Sequence, residues 1–156
     1  MAQIFETSED NVKLVNDEFV KTGLSTLNVN LKVLSTTKAR EVLKLTKTSP
    51  TTAFLTKKDL QILIYEQAFD RLDDQCKKRL IEMILSIVSF DTEKDKLIVD
   101  TNPFMQIFNM RRKYGEQIVD DLEASYLAIK QIEDEERERK EQEKEMKKQK
   151  KNNNLY

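Results

Sequence analysis

The sequence predicts an α+β fold, a small helix-rich domain with a short sheet, followed by a long charged C-terminal helix. Three observations predict it. Leu27, Val29, Leu31 and Val33 alternate with Asn28, Asn30 and Lys32, the period of a strand buried on one face. Cys76, Leu80, Ile81, Met83, Ile84, Ile87 and Val88 recur at helical spacing and occupy more than half of the circumference. After Ile132 the next large apolar residue is Met146, and charges fill most positions between them, as on a solvated helix. Strands and helices mix without the regular beat of a parallel nucleotide-binding sheet, which favours α+β over α/β. The expected division is a domain over 1–115 and a helix with a charged tail over 116–156.

The elements follow in chain order. Ser8 is a candidate N-cap for a helix carrying Val12, Leu14, Val15, Phe19 and Val20, ended by Gly23. The alternating strand comes next. Thr36 or Thr37 then caps a short predicted helix with Ala39, Val42, Leu43 and Leu45, and Pro50 with its Ser/Thr neighbours predicts a loop. Leu60 to Tyr65 reads as a more deeply buried strand. Asp73 or Asp74 caps the core helix, which the apolar pattern carries to Val88. Asp91 to Asp95 predicts a charged turn and Leu97 to Val99 a strand. Asn102 before Pro103 is an N-cap with proline at the first helical position, and Gly115 stops that helix. In the last helix, Ile118, Leu122, Ile129 and Ile132 form one apolar stripe, and Val119, Leu122, Tyr126 and Ile129 an adjacent one.

Composition excludes more than it suggests. The chain has no histidine, which removes the usual general base near neutral pH and the commonest catalytic zinc ligand. No enzyme activity, no catalytic residue, no metal and no cofactor are therefore expected. Cys76 stands alone, which rules out an internal disulfide and fits a reducing compartment, so a cytoplasmic location is expected. With a buried place near a helix start, its thiol is expected to be structural. Met1 to Asp10 is acidic and lacks the apolar run of a secretory signal, and no stretch is long enough to span a bilayer. With only Gly23 and Gly115, a glycine-rich phosphate loop cannot form.

Carboxylate clusters receive two readings each. Asp91, Glu93 and Asp95 alternate like the first ligands of a calcium loop, but Lys96 stands where the loop glycine belongs and Asn102 where the closing glutamate belongs. A solvated turn is expected there. Asp70, Asp73 and Asp74 could hold magnesium, yet helix capping accounts for two of them.

The charge is unevenly placed. Residues 1–115 hold 18 basic against 16 acidic residues, and 116–156 hold 9 against 12. Glu133 to Glu145 is acid-rich and Lys147 to Lys151 basic, the order that complements a helix dipole. Glu133/Arg137, Glu135/Arg139, Glu136/Lys140 and Glu143/Lys147 are four residues apart and predict supporting pairs. Nucleic-acid contacts are the alternative reading for three basic clusters: Lys77, Lys78 and Arg79; Arg111, Arg112 and Lys113; and Lys147, Lys148, Lys150 and Lys151. They would act together only on one shared face. Phe108 and Tyr114 are stacking candidates that fit a hydrophobic core better.

Residues Leu60 to Gly115 carry a resemblance. A strand within "LQILIYEQAFDRLDD", an amphipathic helix "QCKKRLIEMILSIVSFD", a turn and strand "TEKDKLIVD" and then "NPFMQIFNMRRKYG" together resemble a metallopeptidase family of tailed phages, including divergent versions in crAss-like phages. The resemblance implies a zincin-like scaffold, in which the core helix carries His-Glu-x-x-His as two zinc ligands and the glutamate that activates water. Superimposed on the apolar pattern and Asp91, the ligand positions fall on Glu82 and Ser86 and the glutamate position on Met83. None keeps that chemistry, so the resemblance implies a phage pseudoenzyme or structural protein without metal, located in the cytoplasm of a host cell or in a virion. The expected function is protein-protein contact, with a partner or with a second copy, through Ile118, Leu122, Ile129 and Ile132 on the C-terminal helix or through the zincin groove. No membrane partner is expected.

Overall fold

The computed structural model describes residues 2–100 and 102–155. The protein is α+β, with a four-stranded mixed sheet, a separate hairpin and six α-helices. Strand β1 (Ile4–Glu6) leads through the Ser8 N-cap into α1 (Glu9–Lys21), where the Ser8 side chain accepts from the Asn11 amide. Gly23 and Asn28 both adopt left-handed φ (77° and 60°) around a 3-10 turn over Leu24–Leu27. That reversal delays the next strand, so β2 is Leu31–Thr36 and not the predicted run from Leu27. Leu24 and Val29 still reach the core, but from the turn.

Two further expectations are corrected between residues 36 and 56. The segment predicted as a short helix is strand β3 (Leu43–Lys47), and the predicted loop is α2 (Pro50–Thr56), capped by Ser49. Leu43 and Leu45 turn toward the core face while Lys44 and Thr46 face water. The alternation is then continued by pairing with β4 (Leu60–Tyr65), Leu43 opposite Ile64 and Leu45 opposite Ile62. Sheet order is β1-β2-β4-β3, with β2 and β4 parallel and both outer pairs antiparallel. One face carries Leu31, Val33, Leu60, Ile62 and Ile64, and is covered by helices.

A short helix α3 (Glu66–Phe69) turns the chain into α4 (Asp74–Leu85), whose Asp73 N-cap accepts from the Cys76 amide at 2.8 Å. The helix stops at Leu85, one turn earlier than its apolar pattern predicts, because Val88 begins β5 (Val88–Asp91), which pairs with β6 (Lys96–Val99). Helix α5 (Pro103–Tyr114) is capped by Asn102 and ended by Gly115 at φ +62°. Helix α6 (Gln117–Asn153) is 37 residues long. Ile118, Ala128, Ile129 and Ile132 on α6 are buried, so its first half belongs to the packed body and the packing boundary lies after Ile132, well beyond residue 115. From Arg137 to the helix end every residue is exposed, about 25 Å of helix without tertiary cover. No described helix is long and apolar enough to cross a membrane.

Candidate functional site

Two concavities flank α4, one apolar and one polar. The apolar groove, about 610 Å³, lies between β3, α4, α5 and α6. Leu43 and Leu45 line one wall, Met83, Ile84 and Ile87 the floor, and Ile107 with Tyr126 the far rim. The β3 wall is a backbone edge. The Val42 carbonyl accepts from the Tyr65 amide, and the Thr48 amide donates to the Asp59 carbonyl, so even-numbered residues of this strand bond toward β4. In an antiparallel ladder the intervening residues point their N–H and C=O groups the other way. Leu43 and Leu45 thus direct main-chain donors and acceptors outward, and among the described residues no backbone group meets them there. Lys47 Nζ donates to the Leu97 carbonyl at 2.9 Å, tying the strand's end to the β5–β6 hairpin.

Helix α5 extends the apolar surface. Phe104 is 81% exposed and Phe108 55%, and Met105 and Ile107 are also exposed, while Met110 is buried. Phe108, expected in the core, lies outside it with the Arg112 guanidinium 5.7 Å from its ring. Four large apolar side chains in five residues of one helix form an exposed patch of the kind associated with contact surfaces.

The polar cavity, about 570 Å³, lies on the opposite flank of α4, against the end of α1 and the end of α5. Its lining includes Lys21, Lys78, Arg79 and Lys113 with Glu18 and Glu82. Glu82 accepts from Lys113 Nζ and from the Tyr114 hydroxyl. Burial works against its charge, but those hydrogen bonds outweigh it and hold the carboxyl below its ordinary range. The Tyr114 hydroxyl is pushed up chiefly by its hydrogen bond to Glu82. Glu82 and Ser86, the positions that the resemblance assigns to zinc ligands, both line this cavity, whereas Met83 faces the apolar groove. The Ser86 hydroxyl donates to the Met83 carbonyl at 2.6 Å, closing the helix end.

The three basic clusters do not form one surface. Lys78, Arg79 and Lys113 meet at the polar cavity. Lys77 lies over the Phe69 ring at 5.3 Å and near Asp74 at 3.9 Å, Arg111 pairs with Glu116, and Lys147, Lys148, Lys150 and Lys151 ride on the exposed end of α6. Arg79 is engaged with Asp121, Nε donating at 2.6 Å and Nη2 at 3.1 Å. The stripe proposed for a partner helix is likewise engaged. Ile118, Ile129 and Ile132 are buried and Leu122 packs against the core, so a partner would meet Val119, Tyr126 and Leu127 instead. Of the supporting pairs along α6, Glu135 turns away from Arg139 to hold Arg71 through two bonds of 3.0 and 2.7 Å.

The carboxylate clusters have local partners. Asp91 Oδ1 accepts from the Glu93 and Lys94 amides, and Asp70 from Asn11 Nδ2, while Asp73 is the α4 cap. Among the described residues no three metal-binding side chains converge. Cys76 is buried against α6, its Sγ 3.9 Å from the Asp121 carbonyl oxygen. Burial, reinforced by the Asp121 charge, pushes its thiol up to about 12. Alkylation of the native chain at mildly alkaline pH is therefore expected to be slow and to finish only on unfolding, and rapid labelling of folded protein would contradict this placement.

The convergence of Lys21 from α1 with Lys78 and Lys113 had no local signal, since the three lie on separate helices. Comparison with protein-family models, with curated proteins and with solved structures gives no match for this chain.

Proposed function

We propose that the protein is a non-catalytic binding domain that captures an extended segment of a partner protein in the groove beside β3. The observation that carries this reading is the exposed apolar face of α5 continuing a groove whose opposite wall is an unpaired strand edge. Outward N–H and C=O groups on Leu43 and Leu45 suit strand addition, in which main-chain bonds give affinity and side-chain pockets give specificity. The groove also selects the partner's chemistry. Apolar residues on one face of the added strand would lie over Met83, Ile84 and Ile87. Residues on its other face would lie beside Lys44, with Arg40 and Glu41 also at the groove, so an acidic residue suits the position next to Lys44. An alternating apolar and acidic segment is the proposed ligand. A zincin-like scaffold without metal is part of this reading, with Glu82 at a ligand position held by Lys113 and Tyr114.

Selection of short random peptides on the full chain tests the proposal. Alternating apolar and acidic sequences are expected, weakened about tenfold or more by Leu45→Pro and by Ile107→Ser, a loss of at least about 1.4 kcal/mol. Leu45→Pro removes an outward N–H and leaves the β4 ladder intact. Peptides indifferent to both changes would overturn the groove, and stoichiometric zinc in the purified chain would overturn the non-catalytic reading.

A further inference from the structure

The polar cavity has a charge imbalance that the surrounding fold does not resolve. Four cations line it, Lys21, Lys78, Arg79 and Lys113, and two carboxylates, Glu18 and Glu82. Three cations are paired: Lys21 with Glu18 at 2.9 Å, Lys113 with Glu82, and Arg79 with Asp121. Lys78 is half-buried and makes no ion pair within 4 Å among the described residues, and Glu82, one helical turn on, is held by Lys113 and Tyr114. Helix ends explain Lys21 and Lys113, because the carbonyl end of a helix favours cations. That argument fails for Lys78, which sits in the interior of α4, three residues before Ile81 at the core. The Lys78 stem is half-buried while its ammonium opens onto the cavity, so an anion entering there meets a cation that no side chain already holds.

We propose that this cavity binds a phosphate group, with Lys78 as its principal contact. Lys21 and Lys113 line the cavity as members of ion pairs with Glu18 and Glu82, and the Gln75 side-chain amide adds a neutral donor. A phosphate presents several acceptor oxygens, so it can bond Lys78 and Gln75 together while Lys21 and Lys113 stay paired with Glu18 and Glu82. The volume falls within the range of small-ligand sites, so a phosphorylated small molecule fits inside, and the phosphate of a nucleic-acid backbone carries the same chemistry to the rim. This site is independent of the β3 groove, on the other flank of α4.

Calorimetric titration of the full chain with inorganic pyrophosphate at low salt tests the assignment. Lys144→Ala on the exposed part of α6 removes the same charge far from the cavity and is expected to bind like the unmodified chain. Lys78→Ala is expected to bind about tenfold more weakly or worse, and Lys78→Arg to retain most of the affinity. Thermal melts that coincide for the variants exclude misfolding as the cause. Absence of binding by the unmodified chain would overturn the proposal, as would equal weakening by Lys78→Ala and Lys144→Ala, which is the signature of general charge attraction. A single-stranded oligonucleotide that displaces pyrophosphate and weakens with Lys78→Ala identifies the backbone phosphate as the source. One that binds without displacing it leaves the site to small phosphate compounds.

Discussion

Arg79→Ala is expected to destabilise the fold by about 3–5 kcal/mol, measured by urea denaturation, because it strands a buried carboxylate. Asp121 is 2% exposed and accepts from Arg79 through two bonds and from Gln117 Nε2 at 3.2 Å. This pair joins α4 to α6 beside the polar cavity. Removing the guanidinium leaves the Asp121 charge without its counter-ion, held only by Gln117. A loss below about 1 kcal/mol, the worth of an exposed pair, would show that the site is wetter than its burial implies. The double change Arg79→Met with Asp121→Leu is expected to recover most of the loss, since apolar replacement of both partners removes the stranded charge. The same pair sets an acid limit. Burial raises the Asp121 carboxyl, but the bonds from Arg79 and Gln117 outweigh burial and the net direction is down from 3.8. A depressed folded value means the contribution is complete above the unfolded value and is lost as pH falls through it toward the folded one. Acid unfolding of the unmodified chain is therefore expected to steepen below about pH 4, and the Met/Leu double variant to lack that component.

Ile132→Ala is expected to cost about 2–5 kcal/mol, the range for emptying a buried aliphatic site. Ile132 is 1% exposed and is the last core residue of α6. Deleting residues 137–156 is expected to change stability by no more than about 0.5 kcal/mol, because every described residue of that stretch is exposed. Thermal or urea melts of the two variants side by side place the boundary of the folded body. A large loss on deletion would mean that the exposed helix is held by contacts beyond its own backbone.

Legibility of the fold followed locality. Helix α4 was readable because Asp73 caps it and its apolar residues repeat within a single element, and α5 because Asn102 and Gly115 mark its two ends. Strand β4 was readable because six residues from Leu60 to Tyr65 leave no turn signal among them. Strand β3 was not, since Leu43 and Leu45 are too few to separate a period of two from one of 3.6. Their pairing with Ile64 and Ile62 decides the matter, and that pairing is distant in sequence. Val88 continues the apolar pattern of α4 in sequence, but its place is fixed by Val99 across the hairpin. The groove was hidden from the sequence because it depends on which side of β3 lacks a neighbour. Exposed Phe104 and Phe108 carry the spacing of core residues, and only the absence of a packing partner distinguishes them.

The uncovered end of α6 also governs how the molecule moves through solution. A helix standing about 25 Å clear of a small body adds friction out of proportion to its mass, and it slows tumbling about two axes more than about the third. A single copy will migrate as a larger particle than it is, and its helix-end amides will relax differently from those of the sheet. Shape alone can therefore imitate a dimer in any separation that ranks particles by drag.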